Sequence, residues 1–270
     1  MLTMRAVRPL VSAGAGALTL TLALAGGASA APFGRPWVVS QAPVAVPGWA
    51  GYYSNDVAGS AATIVVVPRI DCASNPPGAF EGQAAGIQTL NNYNGSVATG
   101  NVGADAVVRT YCNGRTPTYD TAFWLPTPSD NGIEYVPSSV PARPGDVIQF
   151  SVTVSASNSV ASIRNLTNWR FDSVTGLGVT DAGPDIGITA LGVPTESADT
   201  IGAPNGASTV PPPAPSTPIA FAFSQANGQP LSALAGLAAE AWTDSADSAT
   251  VYASPTSLYL GGFFVVNVNS

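Results

Sequence analysis

Histidine and lysine are both absent from this 270-residue chain, and all nine of its basic residues are arginine. These gaps remove most of the side chains that serve as general bases, amine nucleophiles or nitrogen ligands to metals. No Ser-His-Asp triad, Cys-His pair, histidine-ligated zinc site, phosphate-loop lysine or Schiff-base lysine can be assembled. Charge is scarce as well: 9% of residues are charged, acids outnumber bases 16 to 9, and the formal net charge is -7. No basic field is left for a phosphate backbone, so nucleic acid is not an expected partner. No calcium loop or Gly-rich phosphate cradle occurs, and neither a metal nor a cofactor is expected. Any acid–base chemistry must run through carboxylates, with amides, hydroxyls and arginines as donors.

The first thirty residues read as an export signal. Arg5 and Arg8 form a charged start, Leu10 to Leu24 carries no charge, and Ala28-Ser29-Ala30 offers the small residues that a signal peptidase accepts. The apolar run is short for a bilayer span and no second one follows, so no membrane association is expected after cleavage. Removing residues 1–30 takes away two arginines and no acid, leaving a secreted chain two charges more negative than its precursor. Cys72 and Cys112 are the only cysteines. An even pair in an oxidising compartment predicts one structural disulfide, worth about 2–4 kcal/mol through restriction of the unfolded chain.

The exported part is patterned for strands. In Asp146 to Val154, Ile148, Phe150, Val152 and Val154 share one face, and Gln149, Ser151 and Thr153 the other. Ala62 to Val67, Ala106 to Tyr111, Ala220 to Phe223 and Phe263 to Val268 are comparable runs. Asn-Gly pairs at Asn94, Asn113, Asn131, Asn205 and Asn227, together with Pro144-Gly145-Asp146, punctuate them with turns. The expectation is an all-β, double-sheet antiparallel β-sandwich, jelly-roll-like or concanavalin-like, forming a single domain over residues 48–270. Residues 31–47, with four prolines, are expected to be an extended arm, and residues 211–218 a Pro-rich surface loop. Leu231, Leu234, Ala238 and Trp242 recur at helical spacing, yet Trp242 to Val251 fits a strand equally well, so this stretch stays open between the two.

The order of landmarks along the chain resembles the glutamic peptidases, or eqolisins, in their bacterial secreted form. The landmarks are Gly48-Trp49-Ala50-Gly51-Tyr52, Val67-Pro68 before Cys72, Cys112-Asn113-Gly114 leading into Pro117-Thr118-Tyr119-Asp120, Pro144-Gly145-Asp146 before a long alternating strand, and Ala253-Ser254-Pro255-Thr256-Ser257-Leu258 before a last strand. Both cysteines fall where bacterial members carry theirs. The resemblance implies a β-sandwich secreted for acid proteolysis, with a glutamine and a glutamate on a concave sheet as the catalytic pair. The glutamate would act as general base on a water, and the glutamine amide would donate to the oxyanion.

At those two positions the sequence departs from the pattern. The strand that should carry the glutamine reads Ala106-Val107-Val108-Arg109-Thr110-Tyr111-Cys112, with Val107 or Arg109 in its place, and the run that should carry the glutamate places Gly192 there. Ala84-Ala85-Gly86-Ile87-Gln88 stands where the family has a Trp-Val-Gly run. A shifted pair would have to draw on Gln88 and Glu196. Trp49, Arg109, Asp120 and Trp124 are the candidate cleft residues. Arg109 requires a carboxylate, from Asp120 or Asp105, or else an anionic or carbonyl-bearing ligand, because its charge is costly to bury alone. Asp120 itself reads either as a turn or strand-start residue or as a cleft residue. Trp49, Trp124, Trp169 and Trp242 read as core or cleft-wall residues before sugar-stacking ones.

Asn94-Gly95-Ser96 and Asn165-Leu166-Thr167 have the form of glycosylation sequons, but the lysine-free, Ala-, Gly- and Pro-rich composition fits a bacterial source in which they go unused. Three functions follow: a catalytically degenerate peptidase-like protein that binds a peptide or protein ligand in its cleft or serves structurally, an active acid peptidase with a shifted pair, and a jelly-roll adhesin or lectin.

Overall fold

The structure is a computed structural model that describes residues 42–47, 49–54, 59–74, 82–90, 104–126, 133–154, 158–177, 185–192, 215–244 and 247–269. All of them belong to the compact unit Pro36–Ser270. The expected signal segment, Glu196, the Asn94, Asn131 and Asn205 turns and residues 211–214 lie outside the described residues.

Sixteen strands are present among the described residues: β1 (Val44–Pro47), β2 (Trp49–Ser54), β3 (Ser60–Val66), β4 (Gly82–Leu90), β5 (Asp105–Asn113), β6 (Thr116–Pro126), β7 (Ile133–Pro137), β8 (Val147–Val154), β9 (Asn158–Asn165), β10 (Arg170–Leu177), β11 (Asp185–Gly192), β12 (Ile219–Ala226), β13 (Gln229–Pro230), β14 (Ala238–Thr243), β15 (Val251–Pro255) and β16 (Phe264–Val268). Their order is β10-β9-β8-β3-β12-β16-β15-β14-β2-β11-β4-β5-β6-β7. The path folds into two sheets at β14, which pairs with β2 through Ala238–Glu240 and with β15 at Trp242 and Thr243. The result is the expected antiparallel-rich β-sandwich.

Alternation works as it should in the first sheet. Ile148, Phe150 and Val152 of β8 are buried, as are Ala161 and Ile163 of the neighbouring β9. They join Val108 and Phe123 of the second sheet in one continuous core. Near β14 the core is aromatic: Phe264 stacks on Phe221 at 4.7 Å and meets Tyr52 edge-on at 4.9 Å. The Tyr52 hydroxyl donates to the Thr256 carbonyl oxygen at 2.7 Å, linking sequence landmarks 204 residues apart. Burial pushes the Tyr52 phenol up to about 12. Two further landmarks also meet, since Val67 N–H donates to the Asp146 carbonyl and Gly145 N–H to the Val67 carbonyl, both at 2.9 Å.

Turn chemistry behaves as read at Asn227-Gly228, and at Asn113-Gly114 only the glycine takes the positive φ, the turn being Gly114-Arg115. Asn227 and Gly228, both at positive φ (50° and 71°), form the two-residue loop between β12 and β13. Asn113 ends β5, and Gly114 at φ 60° opens the turn into β6. Cys72 and Cys112 form the expected disulfide, with Cα atoms 5.4 Å apart.

Several expectations are corrected. The sandwich begins before residue 48, because the last four residues of the expected arm form β1, which pairs in parallel with β14 from Val44↔Glu240 to Pro47↔Thr243. Leu231 to Trp242 is not a helix: a 3-10 turn at Leu231–Ala233 is followed by Gly236 at φ 62°, which breaks any helical run, and then by β14. The strand expected from Trp242 to Val251 ends at Thr243 and resumes as β15. Trp169 is neither core nor cleft wall, since it sits at φ 60° in the β9–β10 turn, exposed to solvent. Trp242 does lie in the core. The Asn165 amide of the second sequon is buried and hydrogen-bonded to the Pro141 carbonyl and Asp146, so it is closed to modification.

Strands β4 and β5 approach closely at Gly86, whose register partner is Val107. A Cβ there would lie 2.1 Å from the Ala106 carbonyl oxygen and 2.7 Å from the Val107 Cα. Both are backbone atoms inside a ladder and cannot move aside cheaply. Gly86→Ala is expected to cost about 3 kcal/mol or more in urea unfolding with an unchanged m-value.

Candidate functional site

The second sheet brings the positions singled out in sequence into one cross-strand row. Trp49 of β2 lies opposite Gly192 of β11, Gly192 opposite Ala84 of β4, Ala84 opposite Arg109 of β5, and Arg109 opposite Asp120 of β6. Directly opposed residues share a face. Ala106 and Val108 of β5 face the core, so the alternate positions Val107, Arg109 and Tyr111 lie on the outer face, and the row lies there with them. At about 4.8 Å per strand, the Gly192 and Arg109 backbones are roughly 10 Å apart. Trp49, Gln88 and Trp124 are fixed in register only: Gln88 lies opposite Gly187, and Trp124 opposite Asp105 and Tyr135.

Arg109 is 7% exposed and fully engaged by its neighbours. Its Nε donates to Asp120 Oδ1 at 2.7 Å and its Nη2 to Asp120 Oδ2 at 2.6 Å, a bidentate ion pair between strand neighbours. Nη2 also donates to the Tyr135 hydroxyl. The guanidinium carbon lies 4.4 Å from the Tyr135 ring centre and 5.7 Å from that of Tyr111. The Tyr111 hydroxyl donates to Asp120 Oδ2 at 2.9 Å. Burial, followed by the bond to the Asp120 carboxylate, raises the Tyr111 phenol and keeps it protonated as that donor. Val107, the other candidate for the glutamine position, packs with Ala122 and Tyr135 in a small apolar cluster beside the pair. Of the two carboxylates considered in sequence, Asp120 is the one that pairs with Arg109. Tyr111 and Tyr135 were not singled out in sequence. A tyrosine two residues after Arg109 on the same strand face was the available signal for Tyr111; Tyr135 had none, because β7 joins only through β6.

A second group escaped sequence reading. Glu240 of β14 is 6% exposed, flanked by Gly51 of β2 on one side and Val44 of β1 on the other. No hydrogen bond or ion pair of its carboxylate occurs among the described residues. Burial alone raises it to about 7. Four strand spacings, roughly 19 Å along the sheet, separate it from Arg109, so the two groups do not form a pair. Its only sequence signal is a lone acid within Leu237-Ala238-Ala239-Glu240-Ala241-Trp242.

Two outcomes follow. Asp120→Asn leaves a buried guanidinium without its carboxylate; because the Asp120 side chain is 33% exposed, the expected loss is about 2–3 kcal/mol, below the full cost of a broken buried pair. Glu240 binds its proton more tightly folded than unfolded, so stability falls as pH rises from the ordinary glutamate value of 4.5 to about 7 and is level on either side. The difference is on the order of 3 kcal/mol, and denaturation series from pH 4 to 8 should lose this slope in Glu240→Gln.

No protein-family model matches the chain, and no curated protein matches it in sequence. Solved structures do resemble it. Scytalido-glutamic peptidase, crystallised with a transition-state analogue inhibitor, aligns with a TM-score of 0.53 at 16% identity, covering 83% of this chain and 98% of its own. SCP-B, a member of the eqolisin family of peptidases in complex with the tripeptide Ala-Ile-His, aligns with a TM-score of 0.50 at 14% identity over the same shares. At this level of identity the likeness concerns architecture: the chain has the β-sandwich fold of the glutamic peptidases.

Proposed function

We propose that this chain is an exported β-sandwich of glutamic-peptidase type that has lost the catalytic pair and acts as a binding or structural protein, with a peptide or protein as the ligand of its outer sheet face. The observation that carries the reading is the row Gly192–Ala84–Arg109–Asp120. If the resemblance assigns the catalytic glutamate to Gly192 and the glutamine to Arg109, the register sets those positions two strands apart on one face, the reach expected of two side chains sharing one water. Gly192 offers no base. Arg109 could in principle stabilise an oxyanion, but its Nε and Nη2 donors are committed to Asp120 and Tyr135. Removing one oxyanion donor commonly costs about 10² to 10³ in rate, and here the base is missing as well. The disulfide supports export. A peptide ligand fits the two solved structures of this fold, one of which holds a tripeptide and the other a transition-state analogue.

The test is incubation of the mature protein with denatured casein from pH 2 to 7. No cleavage above background is expected, and Arg109→Gln combined with Gly192→Glu is the smallest change expected to move activity upward. Acid cleavage by the unmodified protein that disappears in Gln88→Ala or Glu196→Gln would overturn the reading in favour of a shifted pair.

A further inference from the structure

On the other sheet, the β9–β10 turn displays an exposed tryptophan on a fixed frame. Trp169 is 79% exposed and holds φ 60°, a left-handed conformation costly for a bulky residue. Side-chain hydrogen bonds enforce the turn: Asn165 Oδ1 accepts from Thr167 N–H at 2.9 Å and Asn168 N–H at 3.3 Å, and Asn168 Oδ1 accepts from Arg170 N–H at 3.1 Å. Asn165 is itself fully buried and anchored to Asp146 Oδ2 at 2.8 Å. Two residues on, Phe171 is 53% exposed, with the Arg164 guanidinium 5.2 Å from its ring centre.

The outer face carries a cation here, although the chain as a whole is negative. Arg164 is exposed, shares that face with Phe171 and has no ion pair among the described residues; Arg170, opposite the buried Asn165, is exposed at the end of β10 on the reverse face. The neighbouring Asp172 does not neutralise Arg164. It lies opposite core-facing Ile163, on the reverse face from Phe171 and Arg164, and accepts from Ser139 N–H at 2.7 Å and Ser138 Oγ at 3.1 Å. Asp146, the acid anchored to the turn, is buried and accepts from Arg143 N–H and the Asn165 amide, so a ligand on the outer face meets Arg164 first.

We propose that this end of the first sheet's outer face binds an anionic polysaccharide, with sugar rings stacking on Trp169 and Phe171 and a ring carboxylate or sulfate pairing with Arg164. The surface beyond the aromatics suits a sugar chain better than a bilayer. Phe171, Arg164 and Gln149 form one row across β10, β9 and β8, and Ser173, Ser162 and Ser151 form the next. These are amides and hydroxyls where lipid insertion would need apolar bulk. The site lies on the sheet opposite the Arg109 row, so it stands or falls independently of any peptidase activity.

The experiment follows tryptophan fluorescence and calorimetry of the whole exported protein with polygalacturonate, dextran sulfate, uncharged dextran and phosphatidylglycerol vesicles. Salt-sensitive binding and quenching are expected with polygalacturonate, dextran sulfate or both, the pattern telling carboxylate from sulfate. Trp169→Gly should fold at least as stably, since glycine accepts the positive φ. It should also weaken binding at least about tenfold and abolish the quench. Arg164→Gln should weaken binding several-fold and flatten its salt dependence. Failure of both charged polymers to bind at low salt, binding unaffected by Trp169→Gly, or quenching by the vesicles in place of the polymers would overturn the proposal.

Discussion

Strand β14 hydrogen-bonds to β2 over Ala238–Glu240 and to β15 at Trp242 and Thr243, and this change of partner along six residues holds the two sheets together at one edge. The strand must present Ala239 to the core beside Tyr52 and, three residues later, Trp242 to the core beside Ala253. Strict alternation does not do both; β14 is buried on both faces from Ala239 onward, and its pairing with β15 is irregular again just beyond Trp242. The aromatic cluster of Tyr52, Phe221 and Phe264 and the Tyr52–Thr256 bond gather near this junction. Glu240 is buried by the same arrangement, because β1 covers one side of β14 where β2 covers the other. Its raised proton affinity is thus a consequence of how the sandwich closes, and it favours the folded state on the acid side of neutrality.

From that junction the second sheet runs through β2, β11 and β4 to β5 and β6, where the outer face has to accommodate a guanidinium. Burying Arg109 is tolerable only because Asp120 stands directly opposite it in the ladder and two tyrosines close around the pair. Gly192 and Ala84 of the same row bring no side-chain donor or acceptor. The row is therefore chemically closed: its one charge is neutralised within the sheet, and the tyrosine rings shield it.

Much of this was legible in sequence where local rules govern. β8 alternates cleanly because one of its faces is core and the other solvent. Asn227-Gly228 closes a two-residue hairpin because both residues tolerate positive φ. The disulfide follows from having only two cysteines. Asp120 was legible as one of two carboxylates for Arg109, and the turn at Gly114-Arg115 sets the register of β5 on β6 that selects it. Where several strands meet, the signal fades. β5 is buried on both faces along most of its length, so alternation there says little. The helical spacing of Leu231 to Trp242 was produced by a turn and a strand that each bury a few apolar residues. Trp169 misled because hydrophobicity alone places a tryptophan inside, whereas the Asn165 and Asn168 side chains hold its backbone in a turn that points away from the core.

The distribution of the arginines ties the two faces together. In a chain this poor in cations, each arginine is either neutralised internally or left as a local positive point in a negative field. Arg109 is of the first kind, bound to Asp120 within the second sheet. Arg164 is of the second, on the far face of the first sheet beside the exposed ring of Phe171. The strain carried at Trp169 sharpens the contrast, because a bulky residue in a left-handed conformation with its ring in water stabilises nothing in the fold. Glycine would satisfy that turn at lower cost, so the reason for tryptophan has to lie outside the folded chain, in something that meets the ring.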